Sequence, residues 1–251
     1  MKHCIWCSRK EPHVTFEKEA HTFPRSVGGK NICENVCDDC NHNFGSTKPN
    51  LPAVEIVLKE ILNFSRYFLL YTKEVPRNQR FKSQYFSVNW DTKVLKLKPS
   101  YKLQKGFQEK LGRQFTRGMY KIYLEERERI KKDSHNSKFD FIREFARYDL
   151  GELQIFYLKP KYPFLGIFDG TLENPSIHFG KESEKEEKEF GIYSYQFMGH
   201  IFCIPVSKLF KELHFERYKK YLKENDNSFG TELIPIKYFS DVDFTFKFIF
   251  Q

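Results

Sequence analysis

The sequence predicts an α+β protein, in which a small cysteine-clipped module precedes a larger mixed α/β-strand domain of unassigned topology. Three observations support this fold class. Two Cys-x-x-Cys steps, Cys4/Cys7 and Cys37/Cys40, enclose a segment that is too short to build its own core. After them, apolar residues recur at intervals of three and four, and over residues 81–101 the interval changes to two. The chain is therefore expected to combine helices with strands.

The four cysteines of these steps have a spacing typical of structural zinc sites. Two such pairs supply four thiolates to one tetrahedral Zn²⁺ ion, which closes a segment that could not fold without it. The 29 residues between the two steps exceed the usual spacing between the cysteine pairs of zinc ribbons. They leave room for a hairpin that presents His21. Unliganded or redox-active thiols are the alternative, and we expect no disulfides because no signal-peptide pattern precedes Cys4. Cys33 and Cys203 are expected to be packing residues.

Length and charge suggest how the chain is divided. The 251 residues fit a small module followed by a medium-sized domain. The formal net charge is +9, yet residues 1–50 carry seven Lys and Arg against six Asp and Glu, so the basic excess lies later. We expect a zinc-bound module at 1–50, a connecting helix at 51–74 and a basic α+β domain at 75–251 that binds nucleic acid or a partner. No run of 18 apolar residues occurs, which argues against a transmembrane helix, and a cytoplasmic protein is expected.

Local patterns assign the secondary structure of the first 70 residues. Residues 15–22 have the pattern of a strand, residues 25–30 that of a turn around Gly28-Gly29, and a helix is expected from Cys40 onward. Apolar residues spaced by three and four then predict an amphipathic helix over 54–67.

Beyond residue 75 the pattern alternates between strands and helices. Residues 81–101 predict a hairpin with its turn at Asn89–Thr92, and the clearest helix covers residues 104–132. The remaining expected elements are strands at 155–158, 192–204 and 244–250, helices at 139–148 and 206–223, and an exposed loop at 181–189.

The helix over 104–132 carries a row of basic residues. Its members are spaced by three, four and four, and they are Lys110, Arg113, Arg117 and Lys121. At about 100° per residue this row is well separated from the apolar side of the helix. It is interpreted either as an ordinary solvated face or as a face that contacts the phosphates of nucleic acid.

Several short motifs of the first 50 residues occur in a defined order. They are the two Cys-x-x-Cys steps, Ala20-His21-Thr22-Phe23-Pro24 between them, the Gly28-Gly29 turn, and Asn41 directly after the second step. Together they resemble the HNH endonucleases, whose fold is the ββα-metal motif. The family pattern is Asp-His-x-x-Pro, a Gly-Gly turn, an Asn, and Cys-x-x-Cys followed by His or Asn. The resemblance covers residues 1 to about 50, a fifth of the chain.

The resemblance implies an HNH-type endonuclease that hydrolyses phosphodiester bonds, with DNA favoured over RNA. His21 would be the general base, because a neutral imidazole can deprotonate water near neutral pH. Asn41 would offer its amide oxygen to a catalytic Mg²⁺ or Mn²⁺ ion, which prefers oxygen ligands. Asn31 is favoured as the residue that orients His21, with Asn35 as the alternative.

The acidic residue that usually precedes the histidine in this family, and often ligates the metal, is replaced by Ala20. Glu19 is one position before Ala20, and on a strand its side chain would point to the face opposite that of position 20. Metal binding would then depend on Asn41 with phosphate oxygens and water, would include His42 or Asn43, or would be impaired.

Two other functions are consistent with the same residues. A non-catalytic, zinc-containing nucleic-acid-binding protein would keep the cysteines and the basic helix without needing His21. Alternatively, residues 75–251 would be the regulatory or docking part of a prokaryotic or phage defence effector whose nuclease awaits a trigger. The resemblance also allows a homodimer, because short HNH nickases often cut both strands only as dimers.

Overall fold

The secondary structure mixes helices and strands along the whole chain. The computed structural model describes residues 1–69, 81–89, 91–92, 94–160, 175–225 and 230–243. Its helices are α1 (Asp38–Gly45), α2 (Val54–Leu69), α3 (Lys105–Lys131), α4 (Asp140–Tyr148), α5 (Lys181–Phe190) and α6 (Glu212–Glu224). Its strands are β1 (Phe86–Asn89), β2 (Val94–Leu97), β3 (Phe156–Pro160), β4 (Ile192–Phe197), β5 (His200–Pro205) and β6 (Gly230–Pro235). The expected α+β fold class is confirmed.

The strands form two separate antiparallel sheets. β1 and β2 make a hairpin, and the other four strands pair in the order β4-β5-β3-β6. Alternate residues of β3 face opposite sides of the larger sheet, as expected for a strand: Tyr157 joins the main core, while Phe156 and Leu158 join a smaller cluster with Tyr218 of α6. The larger sheet therefore has apolar contacts on both faces.

The long helix α3 lies at the centre of the molecule. Its side chains are buried on nearly all sides from Leu111 to Glu128, because α2, α4 and the amino-terminal region pack around it. Gly118 permits the close crossing with α2, since a Cβ atom there would lie 2.6 Å from Leu58 Cγ. Among the helices that the structure describes, none is both long enough and apolar enough to cross a membrane.

The amino-terminal region has little regular pairing. His21 and Ile32 form an isolated antiparallel bridge, and α1 follows it. The strand predicted over residues 15–22 is wrong for most of its length, because the backbone N–H groups of Glu17 and Lys18 donate to the Asp38 carboxylate, at 3.2 and 2.8 Å, instead of to a neighbouring strand. In the turn predicted over residues 25–30, the backbone of Gly29 packs directly against Phe23. A Cβ atom at Gly29 would lie 1.9 Å from the Phe23 carbonyl oxygen, so only glycine fits there.

Most of the other expected elements are confirmed. The helices predicted over 54–67, 104–132 and 139–148 are α2, α3 and α4, and the hairpin is β1–β2. The expected strand at 192–204 is two strands joined by a turn at Met198 and Gly199, and the helix expected from residue 206 begins at Glu212. The strand expected at 244–250 lies outside the described residues.

The exposed loop predicted at 181–189 is wrong, because these residues form α5. Its charged side chains have partners in the fold: Glu186 accepts a hydrogen bond from Ser194, and Glu187 pairs with Arg127. The helix ends at Phe190, which is buried. Gly191 follows it with a φ of 68°, the left-handed conformation common after helix ends.

The basic row of α3 needs the largest correction. Arg117 is 2% exposed and Lys121 is completely buried, so neither can reach a phosphate group. Arg113 is tied to Asp149 and Glu152 at 2.7 and 2.8 Å. The face is covered because α4 and the amino-terminal region pack on it, so the expectation of one solvent-facing basic face is wrong. Lys110, at the start of the row, is exposed.

The two ends of this row predict different mutational effects on stability. Lys121→Met should lower the free energy of unfolding by about 3–5 kcal/mol, because it leaves the buried Glu125 carboxylate, 2.9 Å from Lys121 Nζ, without its counter-charge. Lys110→Met, on the same helix, should change it by less than about 0.5 kcal/mol. Urea denaturation of both variants measures the difference, and equal effects would contradict the burial of Lys121.

Candidate functional site

The four cysteines of the two steps converge at one point. Their Sγ atoms all lie within 4.8 Å of one another, and the Sγ atoms of Cys7 and Cys37 are 3.7 Å apart. A tetrahedral zinc ion with bonds of about 2.3 Å would separate its sulfur ligands by about 3.8 Å. All six cysteines of the chain are free thiols, and Cys33 and Cys203 are buried outside the cluster. The donor set therefore fits one structural zinc ion.

Hydrogen-bond donors surround these sulfur atoms. The backbone N–H of Cys37 donates to Cys4 Sγ at 3.4 Å, and the Nε–H of Arg147, on α4, donates to Cys40 Sγ at 3.2 Å. Four thiolates around Zn²⁺ carry a net negative charge, which such donors offset. Because Arg147 comes from α4, residues far along the chain complete the surroundings of the cluster.

His21 lies beside this cluster with its side chain in a cleft of about 580 Å³. The residues around it alternate as on a strand: Ala20 and Thr22 are buried, at 1% and 0% exposure, whereas Glu19 lines the cleft together with His21. Below the cleft, Lys121 Nζ of α3 donates to the His21 carbonyl oxygen at 2.7 Å. The buried lysine thus fixes the backbone of the residue that enters the cleft.

A second basic residue contacts the imidazole directly. Arg25 Nε donates to His21 Nε2 at 2.8 Å, and the Arg25 guanidinium also pairs with the Glu19 carboxylate. Because a guanidinium only donates, Nε2 must accept, so the proton of the neutral ring lies on Nδ1, 3.4 Å from the Glu19 carbonyl oxygen. The ring therefore has its lone pair on the side of Arg25.

Asn41 enters the same cleft from the first turn of α1. Its Nδ2 donates to the Glu19 carbonyl oxygen at 3.2 Å, which makes Oδ1 the atom of this amide that can ligate a cation. His42 also lines the cleft, where its imidazole lies 3.0 Å from Ser46 Oγ, whereas Asn43 is not among the lining residues. The cysteine pair Cys37/Cys40 therefore brackets the start of the helix that carries Asn41.

Neither of the two asparagines considered for orienting His21 lines the cleft. Asn31 Nδ2 donates to Glu126 at 3.4 Å, and Asn35 Nδ2 donates to Glu128 at 2.7 Å. Asn31 does pair with the segment of His21, because its carbonyl oxygen accepts the backbone N–H of Thr22 at 3.0 Å. Of the two, only Asn31 has a hydrogen bond that restrains the residues next to His21.

The amino-terminal residues are anchored on α3 by three buried glutamates. Glu125 accepts from Trp6 Nε1 at 3.0 Å, Glu126 accepts from the hydroxyl of Thr22, and Glu128 accepts from Asn35. Burial raises the pKa of the Glu125 carboxyl to about 7, although Lys121 and Trp6 oppose this shift. These contacts fix the segment of His21, and Trp6 between the first two cysteines, on the one helix α3.

Sequence reasoning missed three charged cleft residues, among them Lys18, and set a fourth aside. Arg25 and Glu55 line the cleft with His21, and so does Glu19. The two-residue spacing of Glu19 and His21 was the available signal, because alternation puts both on one face. Glu55 belongs to α2, and its carboxylate lies 3.5 Å from Lys121 Nζ, a contact that no local motif indicates.

Comparison with known proteins identifies the first fifth of the chain. Residues 4–50 match the family model of the HNH endonucleases, and the match includes both cysteine pairs, His21 and Asn41. It agrees with the four-cysteine cluster, so the resemblance inferred from the motifs is confirmed. No curated protein and no solved structure matches the chain.

Proposed function

We propose, from the match of residues 4–50 to the HNH endonuclease family model, that this protein is a metal-dependent endonuclease. One observation carries the proposal: His21, Arg25 and Asn41 line the same cleft, beside the four-cysteine cluster. The proposed reaction is hydrolysis of phosphodiester bonds in nucleic acid, with DNA favoured over RNA. The homodimeric state, the cytoplasmic location and the prokaryotic or phage defence role, which were all expectations from the sequence, belong to the same proposal.

His21 is the proposed general base. Its neutral imidazole has a lone pair on Nε2, which is the group that a base needs, and Arg25 Nε donates to it. A phosphate group entering the cleft would offer Arg25 a charge-assisted, bidentate partner in place of the imidazole. Arg25 would then bind the phosphate, and His21 Nε2 would take a proton from the attacking water.

Asn41 is the proposed ligand of a catalytic Mg²⁺ or Mn²⁺ ion, with its amide oxygen as the donor. Such an ion, when bound, stabilises the charge on the phosphate and on the leaving oxygen. The Glu19 carboxylate lines the cleft, so we assign to it the role of the acidic residue missing at Ala20. The buried side chain of Ala20 does not face the cleft. The zinc ion has a structural role only, because four thiolates leave no open coordination position.

The second candidate function is zinc-dependent binding of nucleic acid without hydrolysis. The hydrogen bond from Arg25 to His21 favours it, because that bond occupies the lone pair of the proposed base. In this function Arg25 would remain on the imidazole when nucleic acid binds, and the cleft would hold no divalent cation.

Cleavage of a supercoiled plasmid, with a short RNA in parallel, distinguishes the two functions. We expect nicked or linear DNA with Mg²⁺ or Mn²⁺ and none with EDTA, while zinc analysis of each sample verifies that the protein keeps its structural ion. If folded, zinc-loaded protein binds DNA but leaves both substrates intact with every ion tested, the endonuclease proposal is wrong and the binding function is favoured.

A further inference from the structure

A second cavity, of about 530 Å³, lies next to the cleft of His21. Three lysines, Lys48, Lys102 and Lys110, surround it, and the aromatic rings of Tyr85 and Phe107 contribute to its wall. We call this cavity the lysine groove. It is formed by segments far apart in sequence: the residues after α1, the start of the hairpin, and the first turns of α3.

The charge of the lysine groove is not neutralised by the protein. No carboxylate is among its lining residues, and within the described part of the chain none of the three lysines forms an ion pair. All three are exposed. Further along α3, by contrast, Arg113 and Lys121 are matched by carboxylates. Among the described residues, the positive charge of this groove is therefore available to a polyanion outside the protein.

The other lining groups suit a nucleic-acid strand. Gln84, Gln104 and Asn50 offer amides that both donate and accept hydrogen bonds, as phosphate and sugar oxygens require. Phe107 is only partly buried, so an aromatic surface lies beside the cations. In proteins that bind single-stranded nucleic acid without reading its sequence, a positively charged groove follows the backbone and aromatic rings stack on the bases. Lysines contact the phosphates of a duplex by the same charge attraction.

The lysine groove and the cleft come close to each other at residues 45–47. Gly45 lines the cleft and Thr47 lines the groove, and two residues of extended chain span at most about 7 Å. One strand of DNA advances about 3.4 Å per base along the helix axis, so both cavities lie within a few nucleotides of each other. A strand with one phosphate at His21 would therefore extend over Thr47 into the groove.

We propose that the lysine groove binds the sugar-phosphate backbone of the nucleic-acid substrate, a few nucleotides from the bond at His21. This inference rests on the proposed function for the identity of its ligand. The phosphate contacts are then made by Lys48, Lys102 and Lys110. The buried residues Arg117 and Lys121 of α3 make none. The groove holds the strand by its charge, so its contribution is independent of base sequence.

The test compares two triple variants with the same change in net charge. The groove variant is Lys48→Gln, Lys102→Gln and Lys110→Gln, and the control variant, on the exposed faces of α5 and α6, is Lys181→Gln, Lys185→Gln and Lys223→Gln. Binding of a fluorescent 20-base-pair DNA duplex is measured by anisotropy without divalent ions at several salt concentrations. The slope of log affinity against log salt should become shallower by about 3 in the groove variant, one unit for each lost phosphate contact, and stay unchanged in the control.

Thermal melting verifies that both variants are folded, and plasmid cleavage by the same proteins separates this inference from the proposed function. If both variants keep the slope of the wild type, or both lose the same amount, the groove does not bind the substrate, whether or not the wild type cuts DNA. If the groove variant alone changes slope and the wild type cuts nothing, the groove is supported and the endonuclease proposal fails. A slope change with an RNA duplex only would overturn DNA as the ligand.

Discussion

His21→Ala is expected to reduce the rate of DNA cleavage by about 10²–10⁴-fold, the usual cost of losing a general base. Zinc content and DNA affinity should stay close to those of the wild type, since a base acts on the transition state more than on binding. The side chain of His21 is only 12% exposed, yet its polar contacts are with Arg25 and Glu19 in the cleft and not with the core. Its removal should therefore leave the melting temperature nearly unchanged.

The matched control for this variant is His13→Ala, which removes an exposed imidazole from the same amino-terminal region but outside the cleft. Single-turnover cleavage under saturating Mg²⁺ measures the chemical step in both proteins. Undiminished cleavage by the His21→Ala protein would remove the assignment of the base, and an equal loss in the His13→Ala protein would indicate a general effect on folding.

Cys37→Ala is expected to abolish zinc binding and to unfold the amino-terminal region. Structural zinc contributes about 10–16 kcal/mol to the folding of small zinc-binding peptides, far more than the net stability of most domains. Cys37 is also the N-cap residue directly before α1, so loss of the ion would release the helix that carries Asn41. Cleavage should then be lost together with zinc, and added Mn²⁺ should not restore it.

Cys33→Ala is the matched control, because Cys33 lies four residues earlier, is equally buried, and stands outside the cluster. Metal analysis should find about one zinc per chain in this variant and none in Cys37→Ala. The fluorescence of Trp6 reports unfolding of this region, because Trp6 is 1% exposed in the folded protein. A Trp90→Phe background leaves Trp6 as the only indole of the chain, and its emission should shift to the red only when the region unfolds. Normal zinc content in folded Cys37→Ala protein would contradict the four-cysteine site.

The features that sequence predicts well here are those fixed by local spacing. The two cysteine pairs define their cluster because each pair occupies one short turn, and the periods of α2, α3 and α4 define these helices. The proximity of His21 and Asn41 follows from the family motif, because the ββα-metal motif places the histidine and the residue after the second cysteine pair in one site. The position of Glu19 could have been predicted too, since alternation places it on the face of His21.

The features that sequence does not predict here depend on partners far along the chain. Lys121 belongs to an apparently solvated row, yet it is buried because Glu55, 66 positions earlier, and Glu125 compensate its charge. The lysine groove combines Lys48 with Lys102, which come together only through the packing of α3. Helical periodicity reports which residues share a face, and it does not report what covers that face.

The three glutamates of α3 have a consequence for how the family-matched segment, residues 4–50, can be inherited. Their partners include Trp6, Thr22 and Asn35, so the family-matched residues and the helix share one continuous core and one buried hydrogen-bond network. A recombination event that delivered residues 4–50 to another chain would leave Trp6 without its partner Glu125 there. It would also remove one hydrogen-bond donor from each of three buried carboxylates in the chain of origin. We therefore expect the segment and α3 to have been inherited together, and a search for distant relatives should look for acidic residues at the positions of Glu125, Glu126 and Glu128 downstream of the cysteine motif.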